Sequence, residues 1–247
     1  KEYDLLFYLV KNNLSPAGIA MDVNKGPLEK AQEHIREEKL GGKIATRLGN
    51  GLAPLEPGET DTVIIAGMGG DLICKILKAK PEFLIEGKEF ILQPQSEWFK
   101  IRRLLKEYRY QIEKEWFLKE DGKYYVIIKA EPAWTQPQRL KHQQPSIHEY
   151  IKEISDTQVN QAVSEKDMES IYEQYGKYLI ETKNPVLKEY LEKEITKKES
   201  IAAELKQSIK EIESEELSGK ERGNIAKRQR RYQEIQKEIR DMRKAIG

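Results

Sequence analysis

Cysteine is almost absent from this chain. Cys74 stands alone among 247 residues, which excludes an intrachain disulfide framework and a thiolate zinc cluster. Histidine is scarce too: His34, His142 and His148 never fall at H-E-x-x-H spacing, so no metal site is expected. No apolar run approaches the roughly 20 residues that span a bilayer, so no transmembrane helix is expected. The opening KEYDLLFYLVKNN lacks a basic head, a long apolar stretch and a small-residue cleavage site. It therefore predicts no secretory leader, and the cytoplasm is the expected compartment. An excess of one charge is also missing, since 43 Lys and Arg face 42 Asp and Glu. Only the distribution of charge can then speak about a nucleic-acid partner. The familiar phosphate loops are missing as well. After Gly67-x-Gly69 the third glycine of a dinucleotide fingerprint would fall on Leu72, and no Lys-Ser/Thr pair makes a P-loop.

Charged residues make up 34% of the chain, apolar ones 38%, and mean hydropathy is −0.74. That is wetter than an ordinary compact domain and predicts an exposed, elongated helical part. The length suits one sizeable domain and a smaller one. Up to about residue 131, helical and strand periods alternate. A first helix over 3–12 carries Leu5, Leu6, Leu9 and Val10. Strand 17–23 leads to a helix capped by Asn24, with Leu28, Ala31 and Ile35 on one face. Strands 43–48 and 61–66 follow, then a helix over 69–78 with Leu72, Ile73, Ile76 and Leu77 inward. Strand 90–92 precedes a helix capped by Ser96, carrying Ile101, Leu104 and Leu105. Runs 110–118 and 123–130 flank Glu120-Asp121-Gly122, a hairpin turn signal. Short apolar strands alternating with helices predict an α/β fold, an open doubly wound sheet with an antiparallel edge. A barrel would need eight strand–helix units.

The Pro- and Gln-rich stretch 132–160 reads as a linker, and 161–247 as a helical domain. One apolar series there runs Leu187, Leu191, Ile195, Lys198, Ala202, Leu205, Ile209, Ile212; a second runs Arg228, Tyr232, Ile235, Ile239, Met242, Ile246. Two heptad stripes joined through a Gly-containing turn predict an antiparallel hairpin of coiled-coil type. Its second arm is basic, with ten Lys or Arg against four acids over 219–244. Arg230, Arg231 and Lys237 are its candidate RNA contacts; the competing reading pairs them with Glu211, Glu213, Glu215 and Glu216 of the first arm.

Ligands of open α/β sheets bind beyond the carboxyl ends of the strands. Asp22, followed by Val23, is placed to accept hydrogen bonds from ribose hydroxyls. Gly49, Asn50, Gly51 and Leu52 offer close backbone approach to a flat ring and an amide for an adenine edge. Ala66, Gly67, Met68, Gly69 and Gly70 bring bare backbone to the centre of a site. Gln93 and Pro94 set amide groups beside a rigid turn. Each has a plainer reading as a turn, cap or packing residue. Cys74 reads as inert core, His34 as surface, and Trp98, Trp116 and Trp134 as packing residues.

The order AGIAMDVNKGPLEKA, RLGNGL, VIIAGMGGDLICKIL, FILQPQ, EDGKYYVIIKAE resembles the bacterial tRNA (adenine-N1)-methyltransferase family called TrmK. That family uses S-adenosyl-methionine and modifies adenosine 22 of tRNA. The resemblance covers about residues 5–131 and continues more loosely through the helical part. It implies a Rossmann-like class I methyltransferase fold. By it, Asp22 holds the ribose and residues 49–52 line the adenine. Residues 67–70 lie beside the methionine part and the target base, and Gln93 and Pro94 wall the target pocket. Asn50 departs from the Asp often found there. The family's D-x-G-x-D-H loop, with its candidate catalytic aspartate, is not in residues 1–13. It is expected upstream of Lys1, and the sheet is expected to lack its first strand. The resemblance further implies that backbone carbonyls near 67–70 and the amide oxygen of Gln93 stabilise charge developing on the base. The rival readings are a non-catalytic tRNA-binding module and a methyltransferase with a small-molecule acceptor. Oligomeric state is left open.

Overall fold

The computed structural model describes residues 3–133, 163–213 and 219–247. Its elements in chain order are α1 (Asp4–Lys11), β1 (Gly18–Asp22), α2 (Lys25–Glu37), β2 (Ile44–Leu48), β3 (Thr62–Met68), α3 (Gly70–Ala79), α4 (Pro81–Ile85) and β4 (Glu89–Pro94). There follow α5 (Trp98–Glu107), β5 (Tyr110–Glu120), β6 (Lys123–Pro132), α6 (Val163–Tyr175), α7 (Lys177–Glu181), α8 (Pro185–Glu213) and α9 (Gly219–Ile246). The linker expected over 132–160 and the partners expected at Glu213, Glu215 and Glu216 lie largely or wholly outside what is described. The chain divides into two compact units, residues 1–63 with 71–89, and residues 64–70 with 90–247.

In the first unit β1 and β2 pair in parallel, with Gly18 opposite Ile44 and Asp22 opposite Leu48. The intervening α2 is the crossover that a parallel pair requires. Its buried residues are Leu28, Ala31 and Ile35, the predicted face. Phe7 and Val10 of α1 pack with Ile35, Leu40 and Ile44. The buried residues on α1 are thus Phe7 and the predicted Val10, whereas Leu5 is exposed. Asn24 stands at the start of α2, but its side chain caps nothing. Its backbone N–H instead donates to Asp22 Oδ1 at 2.7 Å. On α3, Ile73, Ile76 and Leu77 are buried while Leu72 faces solvent. At about 100° per residue Leu72 stands at the edge of that stripe, about 140° round from Leu77, on the side open to solvent. Helix α4 is too short for its period to show in the sequence. It starts on Pro81, whose missing N–H costs a helix nothing at its first position.

The remaining strands are ordered β3-β4-β6-β5, so the described strands form two sheets. Asp61 meets Glu89 through a 2.9 Å backbone bond, and Met68 meets Gln95 at 2.8 Å. The two strands between those contacts therefore run the same way. Strand β6 is antiparallel to both β4 and β5, with Leu92 opposite Ile128 and Glu120 opposite Lys123. The hairpin turns on Asp121 and Gly122, at φ of 48° and 76°. Two successive positive φ angles are what a two-residue hairpin needs for its twist to match the strands. Ser96 does not cap α5; Glu97 holds that place, in the left-handed conformation at φ 54° and without a side-chain cap.

Helices α8 and α9 lie side by side, as their heptads predict. Leu187, Leu191, Ile195 and Ala202 are buried on one arm, and Ile225, Ile235, Ile239 and Met242 on the other. Lys198 within the seam pairs with Glu238, and Arg243 reaches Glu199 at 2.6 Å. Among the described residues no helix is long and apolar enough to cross a membrane.

Candidate functional site

Asp22 closes β1, and the chain turns at once into α2. One carboxylate oxygen is held by the Asn24 N–H; among the described residues the other, Oδ2, has the Tyr3 hydroxyl at 3.4 Å. An acceptor this lightly engaged can take a ligand hydroxyl without first losing a strong bond. Val23 beside it is exposed. The loop after β2 is tied to Asp22 by Gly49 N–H, which donates to the Asp22 carbonyl at 2.9 Å.

That loop is tightly built. A Cβ on Gly49 would lie 2.2 Å from Pro54 Cγ, and one on Gly51 would lie 2.8 Å from Ile76 Cγ2. Gly51 also has φ 55°, so it is glycine for conformation as well as space. Leu52 is buried, whereas Asn50 is exposed. The loop is clamped by Arg47, which sequence reasoning passed over. Its guanidinium donates to the Pro54 carbonyl at 2.8 Å and to both oxygens of Glu59 at 2.5 and 2.6 Å. Arg47 and the Glu56 N–H hold the Glu59 carboxyl down at about 2. The clue was an arginine at a strand end followed twelve residues later by an acid, a spacing with no periodic signature.

In the second unit the structure brings Gly67 together with Gln93. The Gly67 N–H donates to Gln93 Oε1 at 2.8 Å. That bond fixes the orientation of the amide oxygen and uses one of its two lone pairs. Gln93 Nε2 is buried and without a partner. Gly67 has φ 79°, and a Cβ there would meet nothing within 4 Å. Gly70 is the opposite case. Its N–H bonds the Ser96 carbonyl at 3.0 Å, and a Cβ would fall 2.6 and 2.7 Å from the carbonyl oxygens of Glu97 and Ser96. Gly69 is intermediate, with Ser96 Oγ at 3.2 Å from its would-be Cβ. Ala66 and Met68 are exposed, and Pro94 is buried. Gly67 and Gln93 thus form one cluster, and Gly70 belongs to the turn that seats α5.

On α9, Arg230, Lys237 and Arg240 are exposed and form no ion pair among the described residues, while Arg231 pairs with Glu234 at 3.2 Å and Glu238 at 3.4 Å of its own arm.

A family model described as tRNA (adenine(22)-N(1))-methyltransferase matches residues 4–173. The chain belongs to that family. It is 32% identical over 185 residues to the Bacillus subtilis tRNA (adenine(22)-N(1))-methyltransferase, a match that covers 62% of this chain and 76% of that one. The crystal structure of B. subtilis TrmK superposes with TM-score 0.70 at 24% identity, covering 100% of this chain and 88% of the other. Mycoplasma capricolum TrmK, solved with S-adenosyl-homocysteine, gives TM-score 0.65 at 23% identity over 99% of this chain and 87% of that one. These likenesses bear out the α/β fold read from the alternation of strands and helices and the Rossmann-like fold that the family resemblance implies.

Proposed function

We propose that this chain serves S-adenosyl-methionine-dependent methyl transfer to N1 of adenine 22 in tRNA. The observation that carries the reading, beside family membership, is the open backbone at Gly67. A strand end there keeps free space and a fixed N–H. Packing alone does not require such space.

The cofactor supplies a methyl group on a sulfonium, and the protein supplies orientation. Asp22 Oδ2 fits a ribose hydroxyl, since its contact with the Tyr3 hydroxyl is long and a carboxylate oxygen has further capacity to accept. Exposed Asn50 fits the edge of the cofactor's flat adenine, and Gly49 and Gly51 build the tight turn that presents it. Neutral adenine N1 carries its own lone pair, so no side chain need remove a proton before transfer. The target base must leave its stack, at a cost of about a few kcal/mol. Gln93, locked by Gly67, is a wall of fixed orientation for it. The RNA surface is α9. Arg230 and Lys237 are seven residues apart, two helical turns, on the side opposite Ile235 and Ile239. Long cations at that spacing follow a phosphate backbone.

The test is transfer of labelled methyl from S-adenosyl-methionine to unmodified tRNA by the full-length protein, followed by mapping of the modified base. Label at N1 of adenine 22 is expected. Tight tRNA binding without transfer would favour the binding-module reading. Transfer to a small acceptor in the absence of tRNA would favour the third.

A further inference from the structure

Arg102 on α5 and Glu115 on β5 are the buried charged residues of the described chain, at 4% and 2% exposure. Arg102 Nε donates to Glu115 Oε1 at 2.8 Å. The same guanidinium reaches out of the sheet layer. Its Nη1 donates to the carbonyls of Glu173 at 3.1 Å and Gln174 at 2.9 Å, in the last turn of α6. A helix leaves its last carbonyls without partners, and a cation there also meets the negative end of the helix dipole. Gly176 follows, at φ 92°, and its N–H closes on the Tyr172 carbonyl at 2.8 Å. A Cβ at that position would lie 2.5 Å from Glu115 Oε2 and 2.9 Å from Arg102 Nη2. Those two atoms are themselves buried and without partners. The turn between α6 and α7 is therefore pressed directly onto the ion pair, and only glycine fits.

We infer that the Arg102–Glu115 pair, closed by Gly176, is the joint that sets the angle of the helical part, and that these are positioning residues for the tRNA reaction. The inference rests on the function proposed above. From the joint the chain passes through α7 into α8, where Asn184 Oδ1 accepts the N–H groups of Val186 and Leu187, both at 3.0 Å. A second attachment holds the start of α8. Tyr190 meets Trp98, Phe117 and Tyr124 with ring centroids 5.0–5.7 Å apart. Glu189 Oε1 there accepts from Lys119 at 2.6 Å and Lys193 at 2.9 Å. Two separate attachments fix a direction where one would leave a pivot. A long arm then magnifies any change of angle at its far end.

Stability alone does not account for the pair. Burial raises the Glu115 carboxyl above its ordinary value even with Arg102 beside it. Apolar residues of similar volume commonly fill such a place at no loss, whereas a buried pair restricts geometry.

The test uses the full-length protein with Glu115→Gln, Gly176→Ala and the double replacement Arg102→Met with Glu115→Leu. Spin labels at Glu120 and Lys227, in a Cys74→Ser background, report the distance from the sheet to the hairpin. The inference expects one narrow distribution in the parent and a broadened or shifted one in each variant. It expects the double variant to keep its thermal stability. It also expects kcat on tRNA to fall about 10- to 100-fold, as misplacement by an ångström does, with cofactor affinity unchanged. An unchanged distance distribution in Glu115→Gln, or full turnover in a stable double variant, overturns it. If the parent protein methylates no tRNA, the proposed function fails while the distance measurement still judges the joint.

Discussion

The glycines at the strand ends of the two units look alike in the sequence and are unlike in the structure. After β2, Gly49 and Gly51 are packed against Pro54 and Ile76, with no room for one more carbon. At the end of β3, Gly67 has open space where a Cβ would stand, and Gly70 just beyond it is again crowded, by backbone oxygens. A crowded glycine is explained by what it touches. An open glycine with positive φ, in a strand end whose N–H is fixed by a glutamine, is required by its backbone conformation and not by its neighbours, and the function proposed above gives that space a use. The comparison separates crowded glycines from an open one where all are written Gly.

Adding a methyl group breaks or sharpens that comparison. Gly70→Ala must move backbone carbonyls, so it should cost about 1–3 kcal/mol of stability, the scale of overpacking. Gly51→Ala should lose as much, with roughly 1 kcal/mol more for left-handed backbone. In both, activity should fall only in step with thermal stability. Gly67→Ala should cost about 1 kcal/mol for its backbone conformation alone. Its methyl transfer should fall far more than its stability, measured at a temperature where the variant stays folded. If Gly67→Ala keeps full activity, the open space serves nothing and the comparison collapses.

Asp22 sharpens the same contrast from the side of the first unit. Asp22→Ala should weaken S-adenosyl-methionine binding by about 1–3 kcal/mol, the scale for one partner of a polar contact. Calorimetry showing unchanged affinity would remove Asp22 from the site. The Asn24 N–H would lose its acceptor in the same variant. Asn24→Ala, which keeps that backbone bond, is the control and should bind normally.

The sequence made the fold legible where a period or a turn speaks. The β5–β6 hairpin followed from alternation around Asp121-Gly122, and α8 and α9 from heptads that the buried Leu191, Ile235 and Ile239 bear out. Helix α4 is five residues, shorter than any readable helical period. Ser96 reads as a cap because serine often is one, yet Glu97 holds that place, in a left-handed bend. Asp22, Gly67 and Gln93 are marked as candidates by their position at strand ends. Arg47, Glu59, Arg102 and Glu115 are not, because each finds its partner across the fold. A charge within a mixed stretch reads as surface until burial is known.

The contrast between the units extends to charge, and there the effects are smaller. In the first unit Arg47 is satisfied by Glu59; on α9, Arg230, Lys237 and Arg240 form no ion pair among the described residues. Replacing those three by Gln should weaken tRNA binding. It should also flatten the dependence on salt by about 0.7–0.9 in log–log slope for each phosphate left unneutralised. Cofactor affinity should not move. A constant salt slope with a lowered melting temperature would assign the charges to the hairpin itself.

The smallest effect should come from the Arg47–Glu59 clamp, and its sign follows from the depressed carboxyl. Folded Glu59 titrates at about 2, held there by Arg47 and the Glu56 N–H, while an unfolded Glu titrates near about 4.3. Its contribution is therefore whole above about pH 4.3 and is lost progressively as pH falls toward 2. Glu59→Gln should be less stable than the parent by a constant margin from about pH 5 to about pH 8. The margin should shrink as acid is added below about pH 4.3, since the parent loses the same charge. Cofactor affinity should show no pH dependence from this pair near neutrality. Denaturant melts of both proteins at a series of pH values would check it. A margin that grows in acid would mean that Glu59 is not held ionised by Arg47, and that the loop after β2 owes its form to the crowded glycines alone.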